Sequence, residues 1–120
     1  MSSGEVEGTD QFVVWFDTLD TEERRAIFAA MEVLEEKGPD LGRPLVDTLK
    51  GARHPNMKEL PPPASDIRIL FVFDPRRTAI LLIGGDRTNR WREWYVRMIP
   101  VVDDLYDEYL RELQLEGLIP

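Results

Sequence analysis

The sequence predicts a small, single-domain α+β fold, and two observations carry this prediction. First, the apolar runs Ile67–Phe73 and Thr78–Ile83 are joined by Asp74–Arg77, a turn sequence with proline at its second position, which is typical of a β-hairpin. Second, apolar residues recur at helical spacing before and after this hairpin, so that strands and helices are grouped along the chain. A chain of 120 residues has room for one domain.

The N-terminal part is predicted to contain a strand and a helix. Residues 1–11 lack apolar periodicity and are rich in polar residues, so we expect them to be disordered and the folded domain to span 12–120. Phe12–Phe16 is aromatic and β-branched, which favours a strand. Asp20–Glu23 is a capping-box pattern, which predicts the start of a helix that ends near Gly38.

The C-terminal part is predicted to contain the rest of an antiparallel-rich sheet, followed by helices. A strand around Asn56–Leu60 is stopped by the prolines at 61–63, which cannot donate ladder hydrogen bonds. The two hairpin runs are continuously apolar, as in central strands covered on both faces. A helix is predicted from Thr88 to about Met98, and Pro100 is expected to separate it from a terminal amphipathic helix.

Composition excludes several classes of protein. The absence of cysteine excludes disulfides and thiol chemistry, and a single histidine, His54, argues against a histidine-based metal site. No apolar run approaches the roughly 20 residues of a membrane span and no signal peptide opens the chain, so we expect a cytoplasmic protein. No P-loop, dinucleotide fingerprint or nucleophile elbow occurs in the sequence.

The net charge of −8 is unevenly distributed along the chain. Residues 42–97 hold eleven basic and six acidic side chains, a net charge of +5, and the remaining residues have a net charge of −13. A basic centre permits contact with nucleic acid. The alternative is that the acidic ends simply keep the protein soluble.

One arginine is conspicuous because of its surroundings. Arg68 lies near the start of an apolar strand, and a cation close to a core must be paired or must face a ligand. Basic and aromatic residues also gather near neighbouring strand ends and in the helix that follows. The set comprises Lys58, Arg68, Arg87, Arg90, Trp91, Arg92 and Tyr95.

Such a set is suited to phosphodiester cleavage without a metal. A cation stabilises the charge on the scissile phosphate, while two other groups remove the ribose 2′-OH proton and protonate the leaving oxygen. Aromatic and arginine planes stack on unpaired bases. Simpler roles are the alternative for several residues: packing for Trp91 and Trp94, exposure at the hairpin tip for Arg76 and Arg77, and a loop position for His54.

Five segments, in this order and spacing, resemble the RelE/HigB superfamily of toxins, and more narrowly its HigB-like, phage-derived branch. The resemblance covers roughly residues 12–113. The segments are Leu45–Gly51, Met57–Leu60, Ile67–Leu70, Gly84–Arg87 and Trp94-Tyr95.

The resemblance implies a twisted antiparallel-rich sheet and a metal-independent endoribonuclease that cuts mRNA on the translating ribosome. It also implies a helix-turn-helix, HigA-like antitoxin as partner. By position, Arg68 matches the arginine that contacts the scissile phosphate and Arg87 matches the basic residue after the last strand, so both are expected to stabilise the transition state. Tyr95 matches a C-terminal aromatic that stacks or assists, and Lys58 lies in the second strand, where RelE-type toxins have basic catalytic residues. The residues expected to bind RNA are Lys50, Arg53, His54 and Arg90.

The sequence departs from the family pattern at two positions. Pro61 stands where members often have an arginine after the Glu-Leu pair, and Glu59 stands where RelE proper has a lysine. The proton-transfer groups remain open among Lys58, His54 and Tyr95. Two alternatives to the nuclease are a ParE-like DNA gyrase inhibitor and a degenerate module that only binds an antitoxin.

Overall fold

The computed structural model of the protein describes residues 5–42, 46–61, 66–86 and 91–120. It confirms a mixed α+β domain with a five-stranded sheet. The described elements, in chain order, are β1 Val6–Gly8, α1 Asp10–Phe16, α2 Thr21–Lys37, a 3₁₀ turn Gly38–Asp40, β2 Asp47–Thr48, β3 Lys58–Leu60, β4 Ile67–Phe73, β5 Ala79–Asp86 and α3 Trp91–Leu115.

The predicted hairpin forms the centre of the sheet, whose strand order is β1-β5-β4-β3-β2. The pairs among β2, β3, β4 and β5 are antiparallel, whereas β1 pairs with β5 in parallel. The amide of Arg77 donates to the Asp74 carbonyl over 2.8 Å and closes the turn. Arg77 then adopts a left-handed conformation with φ of 67°, as in a type I turn followed by a bulge residue.

The central strands β4 and β5 are buried on both faces, as their continuous apolar character predicts. Alternating side chains enter two separate cores. Ile69 and Phe71 pack on one face with α1 and α2, which we call the α1/α2 face. Leu70 and Val72 pack on the other with α3, which we call the α3 face. The sheet is therefore the middle layer of a three-layer domain.

The paired glycines at the end of β5 allow a tryptophan to pack closely on each face. A Cβ atom on Gly84 would lie 2.2 Å from the Trp15 ring of α1, and one on Gly85 would lie 2.5 Å from Trp94 Nε1 of α3. Such distances are far inside van der Waals contact. The Gly84-Gly85 pair thus fixes how closely α1 and α3 approach the sheet.

The prediction of a strand at Phe12–Phe16 is wrong, because this segment lies within helix α1. The Thr9 hydroxyl accepts a hydrogen bond from the Phe12 amide at 3.0 Å and caps the helix. Packing of Phe12 into the core outweighs the β propensity of the segment. The prediction of disorder is also wrong for Val6–Gly8, which pairs with Ala79–Leu81 of β5.

The prediction that Pro100 separates two helices is wrong as well, because α3 runs unbroken from Trp91 to Leu115. Proline costs the helix one hydrogen bond, which would have joined its own amide to the carbonyl of Val96. Both residues are exposed, so water can hydrate that carbonyl. Met98 and Val102, on either side of Pro100, are buried against the sheet and hold the helix together.

Helix α2 follows its sequence signals. Asp20 and Glu23 form the predicted capping box through side-chain-to-amide hydrogen bonds of 2.8 and 3.0 Å. The helix ends at Lys37, and Gly38 follows with φ of 60°. Among the residues that the structure describes, no helix has the length and apolarity needed to cross a membrane.

Substituting Gly84 by Ala should destabilise the protein, because the added methyl group collides with the Trp15 ring. We expect the free energy of unfolding to fall by about 1–3 kcal/mol, the usual cost of overpacking a core. Urea denaturation followed by circular dichroism measures this change. Gly42→Ala is the matched control, since no atom of the described residues lies within 4 Å of its added methyl. Equal stability of the two variants would contradict the prediction.

Candidate functional site

Three polar side chains meet on the α3 face of the sheet: Glu59 of β3, Arg68 of β4 and Tyr95 of α3. We call them the Arg68 cluster. Arg68 Nε lies 3.7 Å from Glu59 Oε1, and the Tyr95 hydroxyl donates to the same oxygen over 2.5 Å. The side chains of Arg68 and Glu59 are only 12% and 17% exposed, so water screens their attraction weakly.

The sheet register brings this cluster together. Glu59 pairs with Leu70, and Arg68 precedes Leu70 by two residues, so both polar side chains lie on the α3 face. Arg68 pairs with Gly85, on which the buried Trp94 packs. The close approach of Trp94 to the sheet places its neighbour Tyr95 over Glu59.

Lys58 does not join this cluster. It pairs with Phe71, whose side chain lies in the core of the α1/α2 face. Because side chains alternate along a strand, Lys58 and Glu59 project to opposite faces of the sheet. The structure therefore separates Lys58, expected from the resemblance to be catalytic, from Arg68 and Tyr95.

Lys50 lies close to the cluster. It lines an open groove of about 300 Å³ together with Glu59 and Tyr95. The rest of the lining consists of Asp47, Thr48, Leu49 and Ile99. Lys50 is exposed on this groove, and the ion pair between Arg68 and the groove residue Glu59 lies beside it, so cations are available there to an anionic ligand.

Arg53 and His54 are bound to the acidic part of α3 instead. Arg53 donates to Asp107 at 2.7 Å, and His54 Nε2 lies 2.8 Å from the other oxygen of that carboxylate. The backbone amides of both residues donate to the Asp103 carboxylate at 2.6 and 3.1 Å. His54 also packs edge-on against Tyr106. These contacts anchor the loop before β3 to the helix.

This anchor lies far from the Arg68 cluster. Asp107 follows Tyr95 by twelve residues, which corresponds to about 18 Å along a helix that rises 1.5 Å per residue. The structure therefore does not bring Arg53 or His54 to the cluster. Arg87 and Arg90, the remaining predicted site residues, lie outside the described residues.

The hydrogen bonds from Arg53 and His54 lower the pKa of Asp107 to about 2, from an ordinary value of 3.8. The same pairing raises the pKa of Arg53. The charged form of the carboxylate is thus the one that the folded loop requires.

Arg76 belongs to a second network of charges, so the expectation that it is simply exposed at the hairpin tip is wrong. Its guanidinium donates to Asp74 at 2.8 Å and to Glu7 of β1 at 3.1 Å. Tyr109 of α3 donates its hydroxyl proton to Glu7 as well, which lowers the pKa of that carboxyl. Burial and the bond to Glu7 raise the pKa of Tyr109 to about 12. The network holds β1, the hairpin and α3 together.

Glu59 is the residue that sequence reasoning treated only as a departure from the family pattern. The sequence feature that could have identified it is its position between Met57 and Leu60, which are buried. A carboxylate in such a place needs a partner. The identity of that partner, Arg68, depends on the pairing register of β3 with β4. Within the described ranges, no group of three or more ligating side chains could hold a metal ion.

Comparison with known proteins finds relatives of this sequence. The model of the family described as "Phage derived protein Gp49-like (DUF891)" matches residues 14–107. The chain is 46% identical over 116 residues to "Putative toxin HigB2" of Mycobacterium tuberculosis, covering 94% of this chain but 58% of that protein. It is 45% identical over 96 residues to "Putative toxin HigB3" of the same organism, covering 80% of this chain and 84% of that protein. The chain thus spans somewhat more than half the length of HigB2.

Solved structures show the same fold at low sequence identity. The RelE–RelB complex of Pyrococcus horikoshii matches with a TM-score of 0.58 and 16% identity, covering 73% of this chain and 99% of that chain. The isolated RelE toxin of Escherichia coli matches with a TM-score of 0.58 and 16% identity, covering 80% of this chain and 99% of that chain.

Substituting Asp107 by Asn should weaken the loop anchor in a pH-dependent way. The pKa of Asp107 is lower in the folded protein than its ordinary value, so its stabilising contribution is present above about pH 4 and is lost as pH falls from 3.8 to about 2. We therefore expect the variant to have a lower Tm than the wild type at pH 7, with a difference that shrinks over this acid range.

Thermal unfolding at several pH values measures that difference. Asp104→Asn is the control, because it removes a nearby carboxylate that is exposed and lies 3.6 Å from Arg53. A Tm difference for Asp107→Asn that stayed constant down to pH 2 would show that the carboxylate charge is unimportant.

Proposed function

Because the chain belongs to the Gp49-like family and to the RelE/HigB superfamily of toxins, we propose that it is the toxin of a toxin–antitoxin pair and acts as a metal-independent mRNA endoribonuclease on the ribosome. The observation that carries this proposal is the Arg68 cluster. It combines a half-buried cation, a carboxylate and a phenol within hydrogen-bonding or ion-pairing distance.

Arg68 supplies the electrostatic part of the reaction. Attack of a ribose 2′-OH on the adjacent phosphate increases the negative charge on the phosphate oxygens. A guanidinium held in a half-buried position stabilises that charge more strongly than one in water. The bond from Arg68 to its own neighbour, the Ile67 carbonyl at 2.7 Å, helps to fix the guanidinium orientation.

Glu59 and Tyr95 supply the proton transfers in this proposal. The Glu59 carboxylate takes the proton from the 2′-OH, and the Tyr95 hydroxyl gives its proton to the leaving 5′ oxygen. The products are a 2′,3′-cyclic phosphate and a 5′-hydroxyl end. The hydrogen bond between the two side chains then returns the proton from Glu59 to Tyr95, which restores both groups. This assignment needs neither Lys58 nor His54.

The groove beside the cluster accommodates the RNA strand. Lys50 lines this groove, and in this proposal it contacts a neighbouring phosphate. Arg87 keeps the expected role of stabilising the transition state, and Arg90 keeps the expected role of binding RNA. The ribosome would hold the mRNA in the conformation that aligns the 2′-OH with the phosphate, and such alignment lowers a barrier by up to about 7–11 kcal/mol.

The partner in this proposal is an antitoxin that lies over the groove and neutralises its cations. RelE of Pyrococcus horikoshii forms a complex with RelB, which supports a partner of this class. The resemblance of the present chain to HigB points more narrowly to a HigA-like, helix-turn-helix antitoxin. Adding that antitoxin to a translation reaction should restore protein synthesis.

The neighbouring residues Glu59 and Lys58 provide a matched pair of variants that tests the proposed chemistry. Glu59→Gln keeps the shape of the side chain but removes the proton acceptor, so we expect mRNA cleavage to slow by about 10²–10⁴-fold. Lys58→Gln changes the opposite face of the sheet, so its cleavage rate should stay near that of the wild type. The measurement is the rate at which new mRNA ends appear in a cell-free translation reaction, with and without ribosome loading.

Arg68→Lys tests the phosphate contact, because lysine keeps the charge but loses the planar guanidinium. We expect cleavage to fall by about 10²–10³-fold, as when one oxyanion-stabilising donor is removed. Thermal unfolding of each variant must first show a folded protein. Wild-type protein that leaves both mRNA and translation intact would refute the nuclease proposal and favour gyrase binding or an inactive module.

A further inference from the structure

The first residue of α3 is an exposed tryptophan beside the Arg68 cluster. Trp91 has 53% of its surface exposed. Single exposed apolar residues are common and need no special role. Three features of its surroundings nevertheless suggest a role for this ring. It is aligned with the groove, other aromatic rings support it, and a cation lies next to it.

Trp91 lies in line with two residues that form the groove. Tyr95 and Ile99 follow it at intervals of four, so the three residues form one ridge along α3. Tyr95 and Ile99 line the groove that also contains Lys50 and Glu59. The Trp91 ring therefore stands at the end of this ridge, one helical turn before the proposed catalytic tyrosine.

A series of aromatic contacts supports the ring. Trp94 is 4% exposed and packs edge-on against Tyr95, with ring centroids 5.0 Å apart. Tyr95 in turn contacts Trp91 edge-on, with centroids 6.4 Å apart. A ring supported in this way loses little conformational freedom when a ligand stacks on it, which favours binding.

The adjacent arginine indicates what kind of ligand suits the ring. The Arg92 guanidinium lies over the Trp91 ring, 5.5 Å from its centroid. A purely apolar partner would have to remove water from this cation without compensation. A nucleotide matches both groups, because its base stacks on an aromatic ring and its phosphate pairs with a guanidinium.

We propose that Trp91 and Arg92 form a stacking subsite for an unpaired nucleobase of the RNA strand whose scissile phosphate lies at Arg68. The inference rests on the proposed function and extends it from chemistry to substrate binding. Trp91 binds the base by stacking, while Arg92 pairs with the phosphate of the same strand.

Binding of a strand that cannot be cut tests the subsite separately from catalysis. The probe is a short, fluorescein-labelled, single-stranded 2′-O-methyl RNA, which lacks the attacking hydroxyl, and fluorescence anisotropy gives its Kd. We expect Trp91→Ala to raise the Kd by about 5- to 150-fold, the range for one lost base stack. Trp91→Phe keeps a ring and should recover most of the affinity.

Val96→Ala is the matched control, because Val96 is 70% exposed on the same helix but carries no ring. Unchanged affinity of Trp91→Ala, or no saturable binding by the wild type, would overturn the subsite, including the case in which Trp91 instead contacts a protein partner. If the wild type binds the probe through Trp91 but cuts no mRNA on ribosomes, the nuclease proposal fails while the base-binding site stands.

Discussion

Strands β4 and β5 are buried on both faces, and this double burial decides how the other elements are arranged. Strands without a solvent-facing side need a cover on each face, and α1 with α2 provides one while α3 provides the other. Polar side chains can then enter only at strand ends and edges. Arg68, second in β4, and Glu59, in the short strand beside it, occupy such positions, where a charge can stay partly hydrated and still meet its partner.

Basic and acidic residues that are far apart in the sequence form ion pairs in the fold. The central segment is basic and both ends are acidic in sequence, but Arg76 of the centre pairs with Glu7 of the N-terminal strand, and Arg53 pairs with Asp107 of α3. Ion pairs of this kind anchor the ends of the chain to its middle. They also neutralise Arg53 and Arg76, two of the basic residues that the sequence analysis counted as available for contact with nucleic acid. Lys50 lines the groove with Glu59, and Arg68 pairs with Glu59 beside it, so a defined cluster and not bulk positive charge supports the proposed function.

The candidate site shows which of its residues could be predicted from the sequence. Arg68 and Tyr95 were identified from their positions and lie together in the structure, and Lys50 lines the same groove. Lys58 lies on the opposite face of the sheet, because the pairing register assigns each strand residue to a face and a shift of one residue exchanges the faces. The same register brings Glu59 to Arg68. These assignments depend on pairing partners that are distant in the sequence.

Local sequence signals are enough to predict the hairpin, the capped helix α2 and the double burial of the central strands, because each depends on a few neighbouring residues. In contrast, the helical conformation of Phe12–Phe16 and the continuation of α3 through Pro100 depend on contacts across the fold, because in both cases core packing outweighs local propensity. The same holds for Arg53 and His54, whose binding to Asp103 and Asp107 joins residues about fifty positions apart. Contacts over such separations are set by the whole fold, and no local pattern encodes them.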